Sequence, residues 1–274
     1  MTSYNVVLMQ PLNYTHSMGL WDIGRLLYHS FHSLGRPSAL RVNELDPKAV
    51  NVLLGYQFVT DNSLLKGCDA VIYQLEQLSA ENGWFTSERL EFMRHVKEIW
   101  DYSSDNIDFL KDKGLTNLKL LPIGFHEALC TIPRTTQNVD VLFYGSINER
   151  RLKILNELRP HCRLAPIFDL YGSQRDAWIS RSKIVLNLHY YQSMIMEQVR
   201  VSYLLNNGCC VVSEDSPNNP FPNMIAAVPY EQITQTCLSY LQNAAAREAL
   251  AQRGMELFRQ RPMVEYLRQV LEDE

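Results

Sequence analysis

Short apolar runs alternate with amphipathic stretches along the chain. Residues 5–9 (NVVLM) end at Gln10-Pro11, a length and boundary that predict a buried strand. From 18 to 34, Leu20, Ile23, Leu26, Leu27, Phe31 and Leu34 recur at three- and four-residue spacing. That spacing predicts an amphipathic helix, ended by Gly35 and Pro37. Further strands are expected at 49–54, 70–73 and 118–121, with helices at 88–99 and 104–113 between the last two. Gly114 supplies the stop for the second of these helices.

The polar passage 131–138 (TIPRTTQN) holds almost no core-forming residue and reads as a linker. It separates a first domain at 1–130 from a second at 139–274. In the second, strands are expected at 139–144, 167–171, 184–188 and 209–213. Helices are expected at 149–158, 175–182 and 197–205, and 233–270 reads as mostly helical. Alternating strands and helices in both halves predict parallel sheets. The expected fold class is α/β, with two Rossmann-like domains facing across a cleft and C-terminal helices crossing back.

Composition narrows the class. With 274 residues, 46% hydrophobic and 20% charged, the chain buries a sizeable core and is not disordered. A net charge of −4 argues against the broad basic surface that grips duplex nucleic acid. No apolar window is long enough to span a membrane. The first residues lack the basic start and apolar run of a secretory signal. The six cysteines include no C-x-x-C pair, so they read as reduced and structural in a cytoplasmic protein, and no metal site is proposed.

In open parallel sheets, ligands collect beyond the carboxyl ends of the strands. The loop after the first strand carries His16, suited to general base work or to a substrate hydroxyl, or simply a surface histidine. Asp22 lies within the helix that follows. Glu76 leaves the strand at 70–73, positioned for a sugar hydroxyl or for holding a neighbouring helix. No G-x-G-x-x-G is present, which counts against an oxidoreductase. In the second half, Gly145 and Ser146 lead into a helix start with Arg150 and Arg151, either an anion site suited to phosphate or a solvated pair of arginines. Asn187 is a polar residue inside an apolar strand, and His189 stands at its exit. Glu197 and Arg200 lie one turn apart, either as an intrahelical pair or both directed at the cleft. Glu214 and Asp215 end the next strand, where acidic turn residues are common in any case.

The stretches VLFYGSINERR, LYGSQRD, IVLNLHYY and Glu197 to Arg200, with Asn207-Gly208 through Glu214, resemble in their order the donor-binding half of GT-B glycosyltransferases. Within that fold the chain looks most similar to the bacterial "glycosyltransferase family 1"/CgeB-like group. IYQLEQL, WDYSSDN and LPIGF are similar to that group's acceptor-side half, so the resemblance covers nearly the whole chain. It implies a nucleoside-diphosphate sugar as co-substrate and no other cofactor. Donor contacts are implied for Tyr144, Gly145, Ser146, Arg150 or Arg151, Tyr171, Gly172, Asn187, His189, Glu197 and Arg200. One departure stands out: where retaining members place a ribose-binding glutamate, five residues before Gly208, this chain has Tyr203.

The resemblance further implies metal-independent transfer to a glycan or other hydroxyl acceptor, in polysaccharide or glycoconjugate assembly. A nucleic acid acceptor is a minor option. His16, then Asp22 or Glu76, are the candidate bases if configuration is inverted; a retaining reaction requires none of them. A nucleotide-sugar epimerase of the same architecture and a non-catalytic nucleotide- or partner-binding module remain alternatives. The expected assembly is a monomer or a weak dimer.

Overall fold

The computed structural model describes residues 2–59, 62–79, 85–191 and 194–272. The chain divides into two compact units, Met1–Ala128 with Pro262–Glu274, and Leu129–Arg261.

The first unit is built on a six-stranded, wholly parallel sheet. Its strands are β1 (Tyr4–Leu8), β2 (Ser38–Val42), β3 (Val50–Leu54), β4 (Ala70–Gln74), β5 (Glu98–Asp101) and β6 (Leu118–Leu120), in the order β2-β1-β3-β4-β5-β6. Strands β1, β3 and β4 are buried along their full length, as continuous apolar runs in a sheet covered on both faces should be. Helix α1 (Trp21–Ser33) lays Ile23, Leu26, Leu27 and Phe31 into the core. The helix expected from residue 18 begins at Trp21, because Thr15–Leu20 before it forms a 3-10 helix. The chain turns out of α1 at Gly35, whose φ of +69° suits glycine, while Arg36 N–H donates back to the Phe31 carbonyl. Helices α2 (Ser87–Arg94) and α3 (Ser104–Asp112) complete the chain's path from β4 to β6.

The second unit has a five-stranded parallel sheet of β7 (Val139–Tyr144), β8 (Leu164–Ile167), β9 (Ser182–Asn187), β10 (Val211–Glu214) and β11 (Ala226–Val228). The order is β11-β10-β9-β7-β8. Helices α4 (Glu149–Leu158), α5 (Gly172–Ser180), α6 (Gln198–Asn206), α7 (Ile233–Gln242) and α8 (Ala244–Arg259) belong to it. Val141, Phe143, Ile184 and Leu186 meet Ile154, Leu155 and Leu158 of α4 in one fully buried cluster. Each such side chain contributes about 1.5–3 kcal/mol by leaving water. The last helix, α9 (Met263–Glu272), returns to the first unit and packs on α1, with Met263 N–H donating to the Phe125 carbonyl at 2.8 Å.

Several elements differ from the sequence expectation. The helix expected at 88–99 ends at Arg94, and its tail is strand β5, which gains two neighbours in the sheet. The strand expected at 167–171 lies earlier, at Leu164–Ile167. β2 and β11 were not anticipated; both are short edge strands without a fully buried residue. The passage 131–138 is bound to the second unit: Thr131 N–H reaches Asn207 Oδ1 at 2.9 Å, and Gln137 Nε2 reaches the Ser182 carbonyl at 2.9 Å.

Both sheets are doubly wound. In the second unit the chain steps from β7 to β8 on one side and to β9 on the other. The reversal falls between β7 and β9, so the loops leaving these two strands flank the crevice where such sheets bind ligands.

Candidate functional site

Three strand exits converge there, from Tyr144 on β7, Asn187 on β9 and Glu214 on β10. Asn187 is wholly buried and joins what surrounds it. Its Nδ2 donates to Glu197 Oε2 at 2.9 Å and to Ser213 Oγ at 3.0 Å, and its Oδ1 accepts from Arg200 Nη1 at 2.8 Å. Glu197 and Arg200 therefore meet through Asn187 across the sheet's end.

His189, also wholly buried, presents Nδ1 to Glu197 Oε2 at 3.0 Å and Nε2 to the Asp215 carbonyl at 3.0 Å, with Ser216 Oγ at 3.1 Å. Each ring nitrogen faces an acceptor, an arrangement that favours the imidazolium. Burial alone would lower its pKa. The Glu197 hydrogen bond and charge, helped by the Asp215 carbonyl and Glu214, outweigh burial and raise it. Glu197 mirrors this: burial pushes its carboxyl up, but His189, Arg200 and Asn187 hold it below the usual value.

The two arginines of α4 do different work. Asn148 caps the helix by accepting from Arg151 N–H at 3.0 Å. Arg150 forms a two-pronged pair with buried Glu214, and its guanidinium lies 4.1 Å from the Tyr230 ring centroid. The hydrogen bonds from Arg150 are what raise its pKa further. Arg151 is only 3% exposed and donates to the carbonyls of Leu188 at 2.5 Å and Ser146 at 2.8 Å. Burial, then neighbouring Arg200, bring its pKa down to about 10, so it stays charged at neutral pH.

Gly145 opens the turn after β7. Its φ of +127° is accessible to glycine, and a β-carbon there would come within 2.8 Å of Arg200 Nη2. Arg200 lies 5.0 Å from the Tyr144 ring centroid, and its Nε has no hydrogen-bond partner. Four cations, Arg150, Arg151, Arg200 and His189, thus surround two carboxylates, Glu197 and Glu214. The surplus charge, beside exposed Ser146 and the start of α4, is suited to an anion.

The structure therefore gathers Tyr144, Gly145, Ser146, Arg150, Arg151, Asn187, His189, Glu197 and Arg200 at one end of one sheet. Tyr171 and Gly172 lead into α5 after β8, the strand beside β7. The buried positions of Asn187 and His189 make them supports for the surface rather than part of it. Of the loop at 190–194, residues 192 and 193 lie outside the described residues. Sequence reasoning passed over Glu214 as a turn residue and missed Tyr230 and Ser213. An acid directly after an apolar strand was the available signal for Glu214. At the position of the expected ribose-binding glutamate, the Tyr203 hydroxyl donates to Asp176 at 2.9 Å, and the Arg175 guanidinium lies 4.4 Å from its ring centroid.

The first unit gives its three candidates distinct settings. His16 is half-buried, its ring 5.1 Å from that of Tyr14. Asp22 is buried in the first turn of α1, 3.6 Å from Arg25. Glu76 leaves β4 with Oε1 accepting from Gln57 Nε2 at 3.0 Å, and its backbone is clamped by Gln74 and Asn106. Burial pushes its carboxyl up to about 7. Among the described residues, no group of three metal-ligating side chains occurs, and no helix is long and apolar enough to cross a membrane.

No family model matches the chain. Uncharacterized protein L137 of Acanthamoeba polyphaga mimivirus is 28% identical over 199 residues, covering 68% of this chain and 26% of that protein. Uncharacterized protein R358 of the same virus is 28% identical over 154 residues, 53% of this chain and 54% of that one. The chain thus spans between a quarter and about half of these relatives' length. Among solved structures, Anabaena HepE in complex with UDP and glucose superimposes with a TM-score of 0.65 at 10% identity, covering 98% of each chain. AviGT4, a glycosyltransferase involved in avilamycin A biosynthesis, gives 0.62 at 12% identity, covering 98% of this chain and 96% of that one. The DNA-modifying β-glucosyltransferase, solved with and without uridine diphosphoglucose, gives 0.58 at 12% identity, covering 98% of each. At these identities the shared property is the fold: two parallel-sheet α/β domains with C-terminal helices, as in the GT-B glycosyltransferase structures.

Proposed function

We propose that the chain is a glycosyltransferase that moves a sugar from a nucleoside-diphosphate sugar to an acceptor hydroxyl, in polysaccharide or glycoconjugate assembly. The observation that carries this reading is the surplus of positive charge at the β7/β9 reversal, centred on half-buried Arg200 beside Gly145. A leaving diphosphate gains negative charge as the glycosidic bond breaks. Fixed cations and helix-start amides in a largely dry site stabilise that charge without reorganising. Arg200 and the Gly145-Ser146 turn are the groups assigned to the diphosphate. Arg151, Asn187, Glu197 and His189 hold Arg200 and the turn in place. Tyr171 and Gly172 are assigned to the nucleotide base. The arginines supply the charge that a divalent ion would otherwise bring, so the transfer is read as metal-independent.

For an inverting reaction, a base must take the acceptor proton. Glu76 suits that task better than His16 or Asp22, because burial brings its carboxyl up to about 7, so that near neutral pH it can both take and release a proton. Asp22 is committed to Arg25 within its own helix. The order of motifs along the chain supports placement in the CgeB-like group.

The test is a thermal-shift series with UDP, GDP, TDP, ADP and CMP on wild type and Arg200→Gln. UDP comes first because HepE was solved with it. A nucleotide at 100 times its Kd should add about 2.7 kcal/mol to wild-type stability, and Arg200→Gln should lose the response. Absence of any response in the wild type removes the reading's main support. Sugar-nucleotide turnover must also depend on an acceptor; turnover without one would point to the epimerase alternative.

A further inference from the structure

A second concavity lies at the opposite end of the same sheet. It is a groove of about 890 Å³, within the size range of small-molecule pockets. Its floor is the amino end of β9 and the turn into β10; α8 forms one wall and residues 132–137 the other. Among the described residues, none of those named at the carboxyl-end site lines it.

Arg247, which lines this groove, is the reason to assign it a ligand. It is only 8% exposed, yet no carboxylate among the described residues forms an ion pair with it. Its one side-chain bond runs from Nη1 to the Tyr240 carbonyl at 2.8 Å, in the last turn of α7. A guanidinium has five N–H groups, so most of its donor capacity is unused. It also stands near the start of α8, where the helix dipole is positive and the first turn holds no acidic residue, with Glu248 following it. A buried cation without a counter-ion is costly, and this one opens onto a ligand-sized space. Arg134 and Arg259 add positive charge to the lining, which also includes Glu248 and Glu256. Pro133 and Met255 provide apolar surface beside them.

We propose that this groove is a second small-molecule site for an organic anion, its phosphate or carboxylate head on Arg247 and its body along Pro133 and Met255. The site stands independently of the nucleotide reading.

Calorimetric titration with inorganic phosphate, glucose 6-phosphate and citrate tests it, each raised to about 10 mM. The proteins are wild type, Arg247→Gln, Gln252→Trp and Arg200→Gln. Gln252 is an exposed residue of the groove wall, so a tryptophan there obstructs the groove without entering the core. At least one probe should bind wild type and Arg200→Gln equally, and bind Arg247→Gln and Gln252→Trp about tenfold more weakly or worse. Preference for glucose 6-phosphate or for citrate then identifies the head group. The proposal is overturned if no probe binds wild type, if Arg200→Gln abolishes binding, or if the groove variants bind normally. Should Arg247→Gln fail to fold, Gln252→Trp decides.

Discussion

Arg200 occupies the space that a side chain on residue 145 would need: its Nη2 lies 2.8 Å from where a β-carbon of Gly145 would stand. Glycine at this turn therefore serves two purposes, a backbone angle of +127° and room for a guanidinium against the exit of β7.

Gly145→Ala is expected to combine backbone strain with displacement of Arg200. The strain alone costs about 1–3 kcal/mol. If Arg200 binds the diphosphate, nucleotide affinity should fall about tenfold or more beyond that stability loss. Thermal unfolding and nucleotide titration on one preparation separate the two; unchanged nucleotide affinity would remove Arg200 from the binding surface.

The Glu197–His189 pair should leave a signature in the pH dependence of stability. His189 has a raised pKa, so its contribution is complete below the unfolded value of about 6.5 and fades as pH rises through the higher folded value. Glu197 has a lowered pKa, so its contribution is complete above about 4.5 and fades as pH falls through the lower folded value. Together they stabilise most between about 4.5 and 6.5. Glu197→Ala should cost about 3–5 kcal/mol, because it leaves buried cations uncompensated. Its stability curve should also lose that maximum, as urea midpoints at a series of pH values would reveal.

Arg150 and Glu214 should respond unequally to removal. The Glu214 side chain is 1% exposed, whereas that of Arg150 is 36% exposed. Arg150→Met removes the guanidinium from the Tyr230 ring and strands a buried carboxylate, at a cost of about 3 kcal/mol. Glu214→Gln leaves a guanidinium that water can reach, at about 1 kcal/mol. Chemical denaturation of the two single variants and the double variant measures the asymmetry; equal costs would contradict it.

Glu76 should make the protein less stable as pH rises. Its folded pKa of about 7 lies above the ordinary 4.5, so the folded state holds a proton that the unfolded chain has released between those values. Stability is thus lost as pH climbs from about 4.5 through 7. Glu76→Gln should remove that slope and gain most on the wild type above pH 7. If Glu76 is also the base, kcat/KM rises through the same pH range, and the variant loses about 100- to 10,000-fold. A variant with the wild-type slope and rate would exclude both roles.

How much was legible in the sequence depended on whether a signal was local. The helix at Glu149–Leu158 and the strand at Val139–Tyr144 have the bounds their apolar patterns predict. The buried strands β1, β3, β4 and β9 are shifted by only a residue or two, since continuous apolar runs between breakers define them. Strand β5 was hidden because Val96, Ile99 and Trp100 also fit the period of the helix before them. Its place between β4 and β6, with Trp100 buried, overrides that local pattern. β2 and β11 lack a distinctive pattern because edge strands need not be apolar on both faces.

By itself, the sequence determined the alternation of strands and helices, and hence two parallel sheets. It also determined that polar residues at several strand exits would share one end of the second sheet, because parallel strands all point the same way. Only the tertiary structure decided which of those residues are partners. Arg150 reaches Glu214, 64 positions away, and Asn187 joins Arg200 to Glu197. These choices follow from strand order, β10 beside β9 beside β7, which long-range packing sets and no local period encodes.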